Sequence, residues 1–171
     1  MTTTYISVTE TAKLVREALK KAFPRVKFSV RSKSYSGGAS IDVYWTDGPR
    51  TCEVKRITQR FNGADFDGMQ DLKTNRQTLV SQPDGTVKQV QYGADWVFCH
   101  REYSPARRAK LEAEIAAVAG EPFESDRVMD AFVSVETGEV FKGRGIHPGD
   151  SFGSSLFHRL AEQRSFKPKQ G

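Results

Sequence analysis

The tightest restriction on the fold comes from two alternating runs on either side of a glycine turn. Val26, Phe28 and Val30 alternate with Lys27, Ser29 and Arg31. Ile41, Val43 and Trp45 alternate with Ser40, Asp42 and Tyr44. A period of two in adjacent runs predicts a β-hairpin with one buried face. Ser36-Gly37-Gly38 lies between them and supplies residues that accept positive φ without a steric cost. Asp47-Gly48-Pro49 turns the chain again, and Pro49 suits the first position of a helix, where its missing N–H is not needed. On that helix Val54, Ile57 and Phe61 recur as a core-facing stripe.

Upstream, Ser7-Val8-Thr9-Glu10 has the form of a capping box. It predicts a helix to about Phe23 with Val8, Ala12, Val15, Leu19 and Ala22 on its apolar stripe, ended by Pro24. The first half of the chain therefore reads αββα. Residues 62–75 read as a loop with a short helical turn. Arg76–Val80 and Val87–Tyr92 flank Pro83-Asp84-Gly85 and predict a second hairpin, closed off by Gly93. In the strand Ala94–His100, Trp96 and Phe98 share one face while Val97 and Cys99 share the other. A strand apolar on both faces is expected to be covered on both, and the C-terminal third is available as the cover.

Ser104-Pro105 predicts a helix start and Gly120 its αL end, with Leu111, Ile115 and Val118 as the stripe. Beyond Pro122 two readings stand: a short helix over Asp126–Phe132, or a small hairpin of Phe132–Val135 with Val140–Lys142 about Thr137-Gly138. Residues 143–150 read as a loop, and Phe152, Leu156 and Leu160 mark a last helix from about Ser151 to Gln163. The final residues, 165–171, read as a frayed tail.

Three stretches, SYSGGASIDVYWTDGP, RFNGADFDGMQD and YGADWVFCHREYS, occur in this order and resemble the large polyvalent protein-associated domain 29 family. The resemblance covers residues 5 to 103 or so. It implies a setting in phages, plasmids or integrative elements, within large multi-domain proteins or as short chains. It brings no established activity and no catalytic residue.

The chain has 171 residues and a net charge of +5. Its length suits one domain, or one domain with an appendage, and 37% apolar residues suit a globular chain. No apolar run approaches a membrane span, and the N-terminus lacks a signal-peptide pattern. Cys52 and Cys99 are the only cysteines. Two thiols without a secretory signal predict free cysteines and a cytoplasmic setting. The charge is uneven: residues 13–60 hold 12 basic and 4 acidic side chains, a net +8. A local basic excess suits phosphate binding, and equally a solvated lysine-rich face.

Metal and catalytic constellations are weak. Cys99 and His100 are adjacent, so on a regular strand they point to opposite faces and do not ligate together. The three aspartates Asp65, Asp67 and Asp71 lack the remainder of a calcium loop and read as an acidic turn that caps a neighbouring helix. Cys99 with His147 or His158 and Asp95 supplies the residue types of a nucleophilic triad but no motif. Ser36-Gly37-Gly38 and Gly143-Arg144-Gly145 match no phosphate-binding fingerprint. No cofactor or metal is expected.

The candidate binding residues are two basic rows. Lys27, Arg31 and Lys33 share a strand parity with Tyr44; an aromatic beside cations suits a nucleic-acid strand, and the same face reads equally as one covered by residues 104–171 or simply solvated. Lys13, Arg16 and Lys20 share one helical face. The expected fold is α/β (α+β by strict naming): an αββα unit extended by an antiparallel sheet, helices mainly on one face. Residues 1–103 form the family domain and 104–171 a helical extension packed on it. The expected role is a non-enzymatic accessory or anti-defence protein of a mobile element, with nucleic acid or a host nucleic-acid-handling protein as partner. The alternative is a small enzyme acting on nucleic acid or nucleotide.

Overall fold

The computed structural model describes residues 3–82, 84–145 and 147–164. The class is mixed α/β, and the chain divides into two compact units. One comprises residues 1–45 and 51–101; the other comprises 46–50 and 102–171.

In the first unit, helix α1 spans Val8–Ala22. Its start is set as the sequence dictates. Ser7 Oγ accepts from the Glu10 N–H at 3.3 Å, and Glu10 Oε2 accepts from the Ser7 N–H at 3.1 Å. Two backbone donors that lack helical partners are thereby satisfied. Phe23 closes the helix before Pro24. Ala12, Val15 and Leu19 are buried, but Ala22 is exposed because the stripe leaves the core at the last turn.

Strands β2 (Ser29–Tyr35) and β3 (Gly38–Thr46) pair antiparallel from Ser29↔Tyr44 to Tyr35↔Gly38. The connection is the two-residue turn Ser36-Gly37, with Gly37 at φ +88°. Val26 and Phe28 precede the ladder, which begins at Ser29. They nonetheless pack on the core, Phe28 against Trp45 with ring centroids 5.8 Å apart. Val30, Ile41, Val43 and Trp45 form the buried face, under Ala12, Val15 and Leu19 of α1 and Val54 of the next helix. Each large apolar side chain so enclosed contributes about 1.5–3 kcal/mol.

That next helix, α2, spans Thr51–Thr58 and tightens into a 3-10 turn over Gln59–Phe61. Pro49 is not its first residue. Asp47 and Gly48 both take positive φ, and Pro49 belongs to the turn ahead of the helix.

The antiparallel extension expected from the sequence is only partly realised, because the strands form several small sheets. Strand β1 (Thr3–Ile6), which the sequence reading omitted, pairs parallel with β7 (Val87–Tyr92). A parallel partner lies far along the chain and leaves no local turn signal. Strand β6 (Thr78–Ser81) pairs antiparallel with β7, giving the order β1-β7-β6. This is the hairpin about Asp84-Gly85; Pro83 lies outside the described residues. Residues 62–75 are no loop: β4 (Ala64–Asp67) and β5 (Leu72–Asn75) make a hairpin. Seven of its eight strand residues are exposed, so neither face imposes the alternation by which strands are recognised. Its aspartates cap no helix. Asp67 accepts from the Met69 N–H at 2.9 Å and Asp71 takes φ +51°, so both shape the turn. Strand β8 (Trp96–Glu102) completes the sheet β2-β3-β8.

The second unit has a core of its own. Helix α3 (Pro105–Ala119) is capped by Ser104 and ends at Gly120, φ +78°. Of the two readings of the following stretch the hairpin holds: β9 (Ala131–Val133) pairs antiparallel with β10 (Val140–Lys142). Helix α4 spans Gly153–Gln163. Leu111 and Ile115 of α3, Met129, Ala131, and Leu156 and Leu160 of α4 are fully buried together, whereas Phe152 stays partly exposed at the helix entrance. Among the described residues no helix is long and apolar enough to cross a membrane.

Candidate nucleic-acid interface

The sheet β2-β3-β8 has a buried face and a face turned away from the core. Residues directly opposite in an antiparallel ladder share a face. Val30 and Val43 are opposite and buried, so Ser29 with Tyr44, Arg31 with Asp42, and Lys33 with Ser40 stand on the other side. On β8, Val97 and Cys99 pack into the core, which turns Trp96, Phe98 and His100 outward.

These outward residues are organised around Tyr44. The His100 ring stacks on it, with centroids 4.6 Å apart and 18° between planes. The Arg31 guanidinium lies 5.7 Å from the ring centroid, within cation–π range. His100 Nε2 is 2.8 Å from Asp42 Oδ1. An ionised carboxylate only accepts, so Nε2 carries the proton of that bond. Asp42 thus fixes the imidazole plane on which the stack depends. Arg31 and Lys33 are exposed, and Phe98, expected to be covered, is 47% exposed. The result is a two-ring platform with Arg31 at its side and an exposed aromatic on the same face.

The strand row shares this face at Arg31, Lys33 and Tyr44, but only Arg31 lies against the ring; Lys33 stands farther along the ladder, opposite Ser40, and Lys27 lies in the loop ahead of β2. The helix row is not part of this platform. Lys13 and Lys20 are exposed on α1, away from its buried face. Arg16 is engaged: its Nη2 donates to the Val30 carbonyl at 2.7 Å, tying α1 to the β2 edge.

A family model for large polyvalent protein-associated domain 29 matches residues 6–104. The chain belongs to that family. The match covers the whole platform, together with the capped helix α1 and both hairpins that follow α2. As members of this family are associated with large polyvalent proteins, the chain is a mobile-element-associated domain. No curated protein shows significant similarity to it. No solved structure does so either.

Two structural features of this family domain leave no signal in the sequence. The first is His100, weighed there only as a metal ligand; its pairing with Asp42 crosses between strands distant in sequence. The second is a cluster around Asp95. Lys73 Nζ donates to Asp95 Oδ2 at 2.9 Å and to the Gly37 carbonyl at 3.1 Å, and the Tyr35 hydroxyl donates to the same carboxylate at 3.2 Å. Burial, and then the Asp95 charge, push the Tyr35 hydroxyl pKa up. A side chain at Gly38 would collide with Asp95 Oδ2, so the close approach requires glycine there. The cluster pins the tip of the β2–β3 hairpin to β5 and to the entry of β8. The Ser36-Gly37-Gly38 turn consequently faces a carboxylate, which disfavours a phosphate.

The other chemical candidates are accounted for structurally. Cys99 Sγ packs in the core 3.4 Å from Thr58 Oγ1, and burial pushes its thiol pKa up, the opposite of what a nucleophile requires. Asp95 is bound to Lys73 and Tyr35. His147 takes part in a capping pair with Asp150, whose carboxyl its backbone N–H holds below the ordinary range. His158 packs edge-on against Phe157. Among the described residues no three His, Cys, Asp or Glu side chains are grouped to hold a metal ion.

Proposed function

We propose that this domain is a non-enzymatic accessory or anti-defence factor of a phage, plasmid or related element, acting in the cytoplasm by binding single-stranded nucleic acid across the outward face of β2-β3-β8. The observation that carries the reading is the Tyr44–His100 stack with Arg31 at its side. Stacking on an aromatic platform contributes about 1–3 kcal/mol per base and tolerates any base, while Arg31, Lys33 and Lys27 supply phosphate contacts. The net +8 over residues 13–60 attracts a polyanion at long range.

The exposed Phe98 on the same face favours a second reading, in which the partner is a host protein that handles nucleic acid. An aromatic at the centre of a patch is the usual anchor of a protein interface. The experiment is retention of labelled single-stranded DNA and RNA by the full chain over a salt series. Binding that weakens with a slope of about −0.7 per phosphate contacted supports the first reading. No retention at low salt, with a host protein captured from lysate despite nuclease treatment, sinks it in favour of the second.

A further inference from the structure

A separate groove lies in the first unit, on the side of β7 and β6 that faces α1. It encloses about 730 Å³. Its floor is apolar: Ile6, Leu14 and Ala18 on one side, Val80, Val90 and Tyr92 on the other. The wall along β6 is unusual in taking every residue from Thr78 to Gln82. Successive side chains of a strand point to opposite faces. A wall built of five consecutive residues therefore includes the strand's main chain as well as one row of side chains.

That main chain is an edge. The sheet order β1-β7-β6 leaves β6 terminal, and among the described residues no strand pairs with its outer side. An unpaired edge is a template for an added strand. Leu79, on this edge, is 65% exposed. The devices that usually blunt such an edge, lysine or proline within the strand, are missing from its four residues.

The rim carries a charge signature. Lys21 and Arg60 stand on it with a single acid, Glu17. Among the described residues neither cation has a carboxylate partner. Arg60 instead lies over the Phe61 ring at 4.8 Å, which holds the guanidinium beside the groove. A bound segment with acidic side chains complements this rim, and one with basic side chains does not.

We infer that the groove docks an extended acidic–apolar peptide segment of another protein, which adds as a strand to β6. Its apolar side chains, at every second position, enter the groove beside Val80 and Tyr92. Its carboxylates meet Lys21 and Arg60. The site is independent of the nucleic-acid platform, because Arg31, Tyr44 and His100 take no part in it.

The test is selection of displayed random short peptides on the full chain. The expected winners alternate apolar residues and carry Asp or Glu. A synthetic winner should slow amide exchange at Thr78–Ser81 and should weaken about tenfold against Lys21→Glu/Arg60→Glu. Affinity should return when its acids are replaced by lysine. Both substitutions are at exposed positions, so the fold is kept, and unchanged circular dichroism checks this. The inference is overturned by winners without acids, by protection outside β6, by no enrichment, or by concentration-dependent self-association through β6, which would make a second copy the occupant.

Discussion

Tyr44 and His100, on different strands of one sheet, stack with centroids 4.6 Å apart, and Asp42 holds the imidazole in place from 2.8 Å. The pair joins a residue of the central hairpin to one near the end of the family domain. Replacing either ring removes the platform without opening the core, since both side chains stand on the outward face. Tyr44→Ala and His100→Ala should each weaken single-strand retention several-fold with little change in denaturation midpoint. Asp42→Asn should weaken it less, because an amide still accepts from Nε2. If the alanine variants bind as the parent does, the platform is not the contact surface.

The two basic rows make separable predictions. Arg31→Glu with Lys33→Glu should abolish retention even at low salt. Lys13→Glu with Lys20→Glu should lower affinity only through net charge. Arg16 is unsuited to this comparison, since it donates to the Val30 carbonyl and its loss disturbs the junction of α1 with β2. Equal losses from both pairs would show long-range attraction rather than a defined face.

Trp45 and Phe28 test the buried face. Trp45 is 2% exposed, and its truncation to alanine should cost about 3–5 kcal/mol. Phe28 is half-buried at the margin of the same cluster, so its truncation should cost less. Urea denaturation of the two variants gives both values. The reverse ranking would mean that Phe28 is the principal anchor.

The two cysteines should differ sharply in reactivity. Both are free thiols, Cys52 exposed and Cys99 packed against Thr58. Cys52 should alkylate rapidly in the folded protein and Cys99 only on unfolding, since burial raises its pKa. Mass spectrometry under native and denaturing conditions distinguishes them. A gain of two hydrogens on reduction would reveal a disulfide instead.

The capping box gives α1 a pH-dependent component. Hydrogen bonds from the Ser7 side chain and backbone hold the Glu10 carboxyl below its ordinary pKa. A depressed folded pKa contributes stability above the usual glutamate range, and this is lost as pH falls through the lowered value. Ser7→Ala should therefore lower the thermal midpoint at neutral pH, with the gap to the parent narrowing in acid. A gap that stays constant with pH would remove the carboxylate from the account.

Elements with a strong local pattern were legible in the sequence. Ser7, Glu10 and Pro24 bound α1; the alternation from Val30 to Trp45 and the glycine at position 37 define the central hairpin; Ser104, Pro105 and Gly120 bound α3. In each case the deciding interactions lie within a few residues, or within a strand and its immediate neighbour. The hairpin about Asp84-Gly85 belongs here too, since turn chemistry is local, whereas the choice between helix and hairpin about Thr137-Gly138 was made only by the fold.

Distant pairings were decided by the folded chain alone. Strand β1 has four residues and a parallel partner, and β4 and β5 have no buried face, so periodicity carries little trace of them. Lys27, Arg31, Lys33 and Tyr44 could be aligned by parity, but parity does not say which neighbour closes the sheet. That neighbour, β8, brings His100 onto Tyr44 and leaves Phe98 in solvent. Nor does residue type reveal that Arg16 is bound to a strand edge, or that Lys73 and Tyr35 converge on the Asp95 carboxylate. Alternation and capping are short-range consequences of backbone geometry, whereas a binding face is made by side chains that meet only after the strands have been ordered.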